Sequence, residues 1–251
     1  MRNKFLTIGC TLLLALALAA MDAQAGIIAS ATRVIFHEGD TEKTLMLLNT
    51  NDYPIVAQTW VDNGDVNAAP ELSNAPFITL PSVFAMQPKA LKGLRIIFSG
   101  ETMPAGRESV YWLNLYEIPP NWPATPPLTS RVTLAMNTQM KIFYRPKTLK
   151  GKANNAAEAA SFTLTTSPNG YLLRCNNSSA FYLSFSRLSV QIGNRDYLIR
   201  QESDMMTAPF SIRDYQLNNI AELDIPSQVT VQTTIINDQG QQVSKSYSAN
   251  K

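Results

Sequence analysis

The stretch that most constrains this chain is RVTLAMNTQMKIFYRP, residues 131–146. Val132, Leu134, Met136 and Met140 fall on one parity, and Arg131, Thr133, Asn137, Gln139 and Lys141 on the other. Alternation of period two over this length reads as a β-strand with one apolar face. Such a strand is either the inner wall of a sandwich or an edge whose apolar side chains are left for another molecule.

The same period recurs along the chain. Short apolar or alternating runs at 32–36, 43–49, 55–61, 77–80, 83–86, 94–99 and 110–118 are separated by turn formers such as HEGD and NGD. A second set lies at 162–166, 171–175, 181–190, 197–200, 229–236 and 243–247, with Asn237, Asp238, Gln239 and Gly240 forming a hairpin turn between the last two. No helical periodicity of useful length appears, and residues 154–160 could form at most one turn. The fold class expected is all-β, as two immunoglobulin-like sandwiches. The segment PPNWPATPP at 119–127 is too rich in proline for a central strand and leads into the opening strand. The seam falls at about Pro146, where the strand ends and the basic KTLKGK begins.

Before the first strand, Arg2 and Lys4 precede an apolar run to about Ala20 and an A-x-A site at Ala23–Gln24–Ala25. This reads as a cleaved signal peptide over 1–25. The expected divisions are therefore 26–146 and 147–251, 121 and 105 residues and close to the ~100 of one such sandwich, in an oxidising compartment and with no stable membrane insertion after cleavage. Loss of the leader removes Cys10 and leaves Cys175 as the single thiol, within the strand-like YLLRC, where it reads as a small buried hydrophobe.

Composition narrows the function classes. A net charge of +2, part of it from the leader, resembles no basic nucleic-acid groove. The one histidine, His37, sits in a turn-like FHEGD, so a Ser-His-Asp or Cys-His constellation has little to build on. There is no plausible zinc ligand set, no calcium-loop spacing and no glycine-rich phosphate loop. The expectation is a protein that is not an enzyme and needs no cofactor.

The run RESVYWLNLYEIPP at 107–120 resembles the signature of the periplasmic chaperones of the chaperone/usher pilus-assembly pathway. So do PIVAQTWVD at 54–62, PFITLPSVFAMQP at 76–88, GLRIIFSG at 93–100 and KIFYRP at 141–146. The second half matches more loosely, through NSSAFYLS at 177–184, APFS at 208–211 and INDQG at 236–240. Departures are Gly106, where the family usually has Asp, Asn or Ser, and Ser178 and Ala180, which stand in place of prolines. The absence of a cysteine pair flanking 119–127 leans toward the family's short-loop subgroup, although the loop is long for it.

The resemblance implies a boomerang of two immunoglobulin-like domains that binds pilin or fimbrial subunits in the cleft and passes them to an outer-membrane usher. It makes Arg33 and Lys141 the anchor of the subunit's C-terminal carboxylate. Val132, Leu134 and Met136, with Met140 beside the anchor, become a donor strand that fills the subunit's incomplete sandwich. It makes Glu108, Arg145 and Asp238 a structural ion-pair set between the domains. An unfilled edge of this kind can also pair with a second copy of the chain. The alternative function is a secreted two-domain adhesin or fibre subunit.

Overall fold

The computed structural model describes residues 26–65, 70–121, 134–168, 170–218 and 226–250. The expected leader and Val132 lie outside them, as does most of the proline-rich segment.

Among the described residues the first half holds nine strands: β1 (Ile27–Ala29), β2 (Arg33–His37), β3 (Glu42–Asn49), β4 (Ile55–Asp62), β5 (Phe77–Leu80), β6 (Val83–Met86), β7 (Leu91–Phe98), β8 (Ser109–Ile118) and β9 (Met136–Arg145). They form two sheets, in the orders β1-β3-β7-β5 and β2-β9-β8-β4-β6. Leu45 and Leu47 from one sheet and Ala57, Leu113 and Ile142 from the other are fully or nearly fully buried between them. On β3 the apolar run proves to alternate, with Met46 exposed between the two buried leucines. Phe77 centres an aromatic cluster, 4.9 Å from Phe36 and 5.3 Å from both Phe98 and Tyr111. Rings at these separations add to the area they bury.

The second half contains β10 (Ala160–Ser167), β11 (Gly170–Asn177), β12 (Leu183–Ile192), β13 (Arg195–Leu198), β14 (Met206–Thr207), β15 (Ser211–Gln216), β16 (Gln228–Ile236) and β17 (Gln242–Asn250). These run β13-β12-β16-β17-β10-β11-β15 in one continuous sheet, with β14 added to β12. The sheet curls until its two ends meet at the Ile199–Leu217 bridge. Its interior holds Phe162, Leu173, Cys175, Phe185, Val190, Tyr215 and Val231, all buried. Burial pushes the Cys175 thiol up to about 11. Strands β1, β14 and β15 are additional to the runs expected from sequence, and a 3-10 helix at Ala153–Ala159 occupies the segment read as at most one helical turn.

Each domain closes one strand end with a buried asparagine. Asn49 Nδ2 donates to the carbonyls of Tyr53, Met86 and Gln87, while its Oδ1 accepts from Asn51. Asn177 Nδ2 donates to the carbonyls of Phe181, Thr207 and Ala208, while its Oδ1 accepts from Ser179. An amide satisfies donor and acceptor needs at once, which suits a buried position where backbone groups leave the ladder.

Candidate functional site

The strand β9 is covered unequally on its two sides. Along one edge it pairs antiparallel with β8 from Met136 to Tyr144. Along the other it pairs parallel with β2, and only from Lys141 to Arg145. Among the described residues nothing pairs with positions 136–140 on that side, so their backbone groups form an open edge.

Side-chain burial follows the same division. Leu134 is 74% exposed and Met136 52% exposed, whereas Met140 is 5% exposed and belongs to the first domain's core. The expectation that Met140 joins the donor residues is therefore corrected. It shares their parity, but it lies where the facing sheet already covers β9, and its side chain is committed to the chain's own interior.

The parallel register places Arg33 directly beside Lys141. Arg33 is 8% exposed, its Nη1 donates to the Ile236 carbonyl at 3.1 Å, and its guanidinium lies 5.8 Å from the Phe143 ring centre. Its Nε is buried with no hydrogen-bond partner among the described residues. A cavity of about 470 Å³ between the domains is lined by Arg33 together with Phe143, Tyr182 and Ile236. Lys141 Nζ stands 3.9 Å from Asp204 Oδ1, in the segment that precedes β14. Burial lowers the basicity of both cations; for Lys141, Asp204 opposes the shift and Arg33 and Arg213 add to it. Two cations held partly out of water, one with an unsatisfied donor, form a receptive site for an anion.

Asp204 and Arg213 were not apparent from sequence. Arg213 on β15 donates to Glu202 Oε2 at 2.6 Å and to the Met206 carbonyl at 2.6 Å, and sits 3.4 Å from Asp204 Oδ2. This group comes from the second domain: Glu202 and Asp204 lie in the loop before β14, and Arg213 lies on β15.

Arg145, at the end of β9, joins the domains. Its Nε donates to Glu108 Oε1 at 2.7 Å, and its Nη1 and Nη2 fork onto Asp238 at 2.6 and 2.7 Å. Glu108 Oε2 accepts from the backbone N–H of Tyr182 at 2.7 Å. Asp238 is presented by the turn between β16 and β17, where Asn237 Oδ1 accepts the N–H groups of Gln239 and Gln241, and Gly240 takes φ +78°. Burial raises the pKa of Glu108 despite Arg145, whereas the hydrogen bonds from Arg145 lower that of Asp238. Burial opposes the charge on Arg145, but its two carboxylate partners outweigh it and raise its pKa.

His37 sits at the end of β2 with an exposed side chain, and its backbone N–H donates to Asp40. No cluster of three metal-ligating side chains occurs among the described residues.

Comparisons with known proteins cover both halves. Residues 26–150 match the family described as pili and flagellar-assembly chaperone, PapD N-terminal domain, and residues 155–247 match the pili assembly chaperone PapD, C-terminal domain. The chaperone protein FimB/FhaD of Bordetella pertussis is 36% identical over 188 residues, covering 73% of this chain and 74% of the relative. The chaperone protein HifB of Haemophilus influenzae is 31% identical over 227 residues, covering 89% and 88%. Among solved structures, a YadV chaperone superimposes with a TM-score of 0.74 at 29% identity, covering 89% of this chain and all of that one. The Salmonella enterica SafB chaperone, solved with the SafA pilin, gives 0.69 at 25% identity, covering 92% and 99%. The two-domain β architecture thus agrees with that of solved chaperones over nearly its whole length, and the chain belongs to the PapD-like family of pilus-assembly chaperones, a family of non-enzymatic proteins.

Proposed function

We propose that the chain acts in the periplasm, after removal of residues 1–25, as a chaperone that captures a fimbrial subunit along the open half of β9. The observation that carries this reading is the coincidence of three features on one strand. Among the described residues its first half has no neighbour on one side, Leu134 just before it and Met136 within it stand in solvent, and the Arg33–Lys141 pair stands where the open edge ends. A subunit strand added at this edge gains main-chain hydrogen bonds, its groove receives Leu134, Met136 and Val132, and its terminal carboxylate reaches the two cations. The solved complex of the related SafB chaperone with a pilin supports the same use of the fold.

Burial of each apolar side chain contributes about 1.5–3 kcal/mol before ordering costs. Delivery to an outer-membrane usher follows from the family's pathway and needs no nucleotide, because the next subunit's own strand replaces the donated one. No helix among the described residues is long and apolar enough to cross a membrane. The ion pairs of Arg145 fix the relation between the domains, a role better suited to a buried network than added stability. The adhesin alternative is disfavoured by the family to which both domains belong.

The test is co-purification of the subunit from periplasm with Arg33→Ala, Lys141→Ala and Leu134→Glu variants. Each is expected to remain folded and to lose the subunit. Normal yields with the two cation variants would remove the anchor, and a normal yield with Leu134→Glu would remove the donor strand.

A further inference from the structure

The outer face of the β4-β8-β9 sheet carries a chain of buried amides and carboxylate that ends on the open half of β9. Asn114, in the middle of β8, is fully buried. Its Oδ1 accepts from Asn137 Nδ2 at 3.0 Å and from Gln139 Nε2 at 2.9 Å. Its Nδ2 donates to Asp62 Oδ2 at 2.6 Å. Asp62, at the end of β4, is buried as well, and it accepts from Trp60 Nε1 at 3.2 Å and from the Gly64 N–H at 2.7 Å.

The order of these groups fixes their orientation. The Asp62 oxygens accept from Trp60, Gly64 and Asn114, so Asn114 turns its NH₂ toward Asp62 and its oxygen toward the amides of Asn137 and Gln139 on β9. The turn that holds Asp62 is itself constrained. Gly64 has φ +93°, and a Cβ there would come within 2.9 Å of the Trp112 ring. The oxygen of Asn114 is thus presented to β9 from a rigid base, and two side chains on one face of β9 converge on it.

Register matters more here than elsewhere in the sheet. Among the described residues, positions 136–140 pair with β8 and with no other strand, and a slip of one residue would turn Leu134 and Met136 to the opposite face. We propose that Asn114, held by Asp62, is a positioning residue for subunit capture: through Asn137 and Gln139 it locks the open half of β9 in the register that presents Leu134 and Met136 to the subunit. The inference rests on the donor-strand reading of β9.

The test uses the full chain carrying Asn137→Ala and Gln139→Ala together, since neither position lies in the core and neither belongs to the anchor or the apolar face. Asn114→Ala is the second variant, and Leu134→Glu the control for the donor reading. Hydrogen exchange is followed segment by segment, alongside co-purification of the subunit that the wild-type chain retains. Exchange at 136–140 is expected to accelerate by about tenfold or more, with capture reduced to a similar degree, as befits loss of one or two net hydrogen bonds. Exchange at 141–145 and in the β3–β7 pair stays at the wild-type rate.

Wild-type exchange and capture in the double variant, with capture abolished by Leu134→Glu, would overturn the register lock and leave the donor strand standing. Acceleration spread evenly over the whole domain would also overturn it, because the network would then be a general stabiliser. Undiminished capture by Leu134→Glu would instead remove the donor reading on which the lock depends.

Discussion

Met136 and Met140 lie four residues apart on the same face of one strand, yet Met140 is buried in the first domain's core while Met136 stands half in solvent. The strand is core wall at one end and open edge at the other. The two methionines should therefore respond to substitution in opposite ways. Met140→Ala is expected to cost about 2–5 kcal/mol of stability, as for other buried methionines. Met136→Ala should change stability by no more than about 0.5 kcal/mol while weakening subunit capture. Urea unfolding and co-purification of the same two variants check both halves of the statement.

This division also marks how far the sequence could be read. Parity identifies the apolar face of β9, but parity cannot say where the facing sheet stops, so it does not separate Met140 from Leu134 and Met136. Strands such as β3, β10, β11 and β16 are legible because their buried residues recur every second position. Strand β1 escaped notice because it spans three residues, and β15 because SIRDYQ alternates through charged side chains rather than apolar ones. Arg33 and Lys141 were reachable only through family motifs, since nothing local in either strand announces that a parallel pairing sets them side by side. Asp204 and Arg213 come from the other domain, and their approach depends on how the two halves meet. Asn114 lies inside a motif of the first domain, but a polar residue in a strand does not reveal that three other side chains hydrogen-bond to it.

The interdomain ion pairs should leave a signature in the pH dependence of stability. The pKa of Asp238 is lowered by its hydrogen bonds with Arg145, so its contribution is present above the ordinary carboxylate range and is lost as pH falls through the lowered value. Burial raises the pKa of Glu108, so its contribution runs the other way, present in acid and lost as pH rises through the raised value. Asp238→Asn is expected to flatten the acid limb of a melting-temperature profile, and Glu108→Gln to remove the opposing loss. Arg145→Ala leaves Glu108 buried without its cation and should cost about 3–5 kcal/mol at neutral pH.

The anchor lysine predicts a separate pH effect, on binding. Burial lowers the Lys141 pKa, and binding a carboxylate requires its protonated form. Affinity for a peptide ending in a free carboxylate should fall as pH rises through that lowered value, before the ordinary lysine pKa of about 10.4 is reached. Lys141→Arg should remove this alkaline loss, because the guanidinium stays protonated throughout. Fluorescence anisotropy with a labelled peptide across the alkaline range measures it.

Cys175 should be chemically silent in the folded protein. Its side chain is fully buried, and its thiol is pushed up to about 11, so neither access nor thiolate is available at neutral pH. A thiol reagent is expected to modify it only at the rate at which the second domain unfolds, and rapid labelling of the native chain would contradict this.

The carboxylate anchor is tested most directly by calorimetric titration of the wild-type chain with the C-terminal peptide of the subunit it co-purifies with, once with a free carboxylate and once amidated. Loss of the charge-assisted hydrogen bonds to Arg33 and Lys141 predicts an amide that binds about tenfold to a hundredfold more weakly, and a difference that disappears in Arg33→Ala and Lys141→Ala. Equal affinities of the acid and the amide for the wild-type chain would contradict the account.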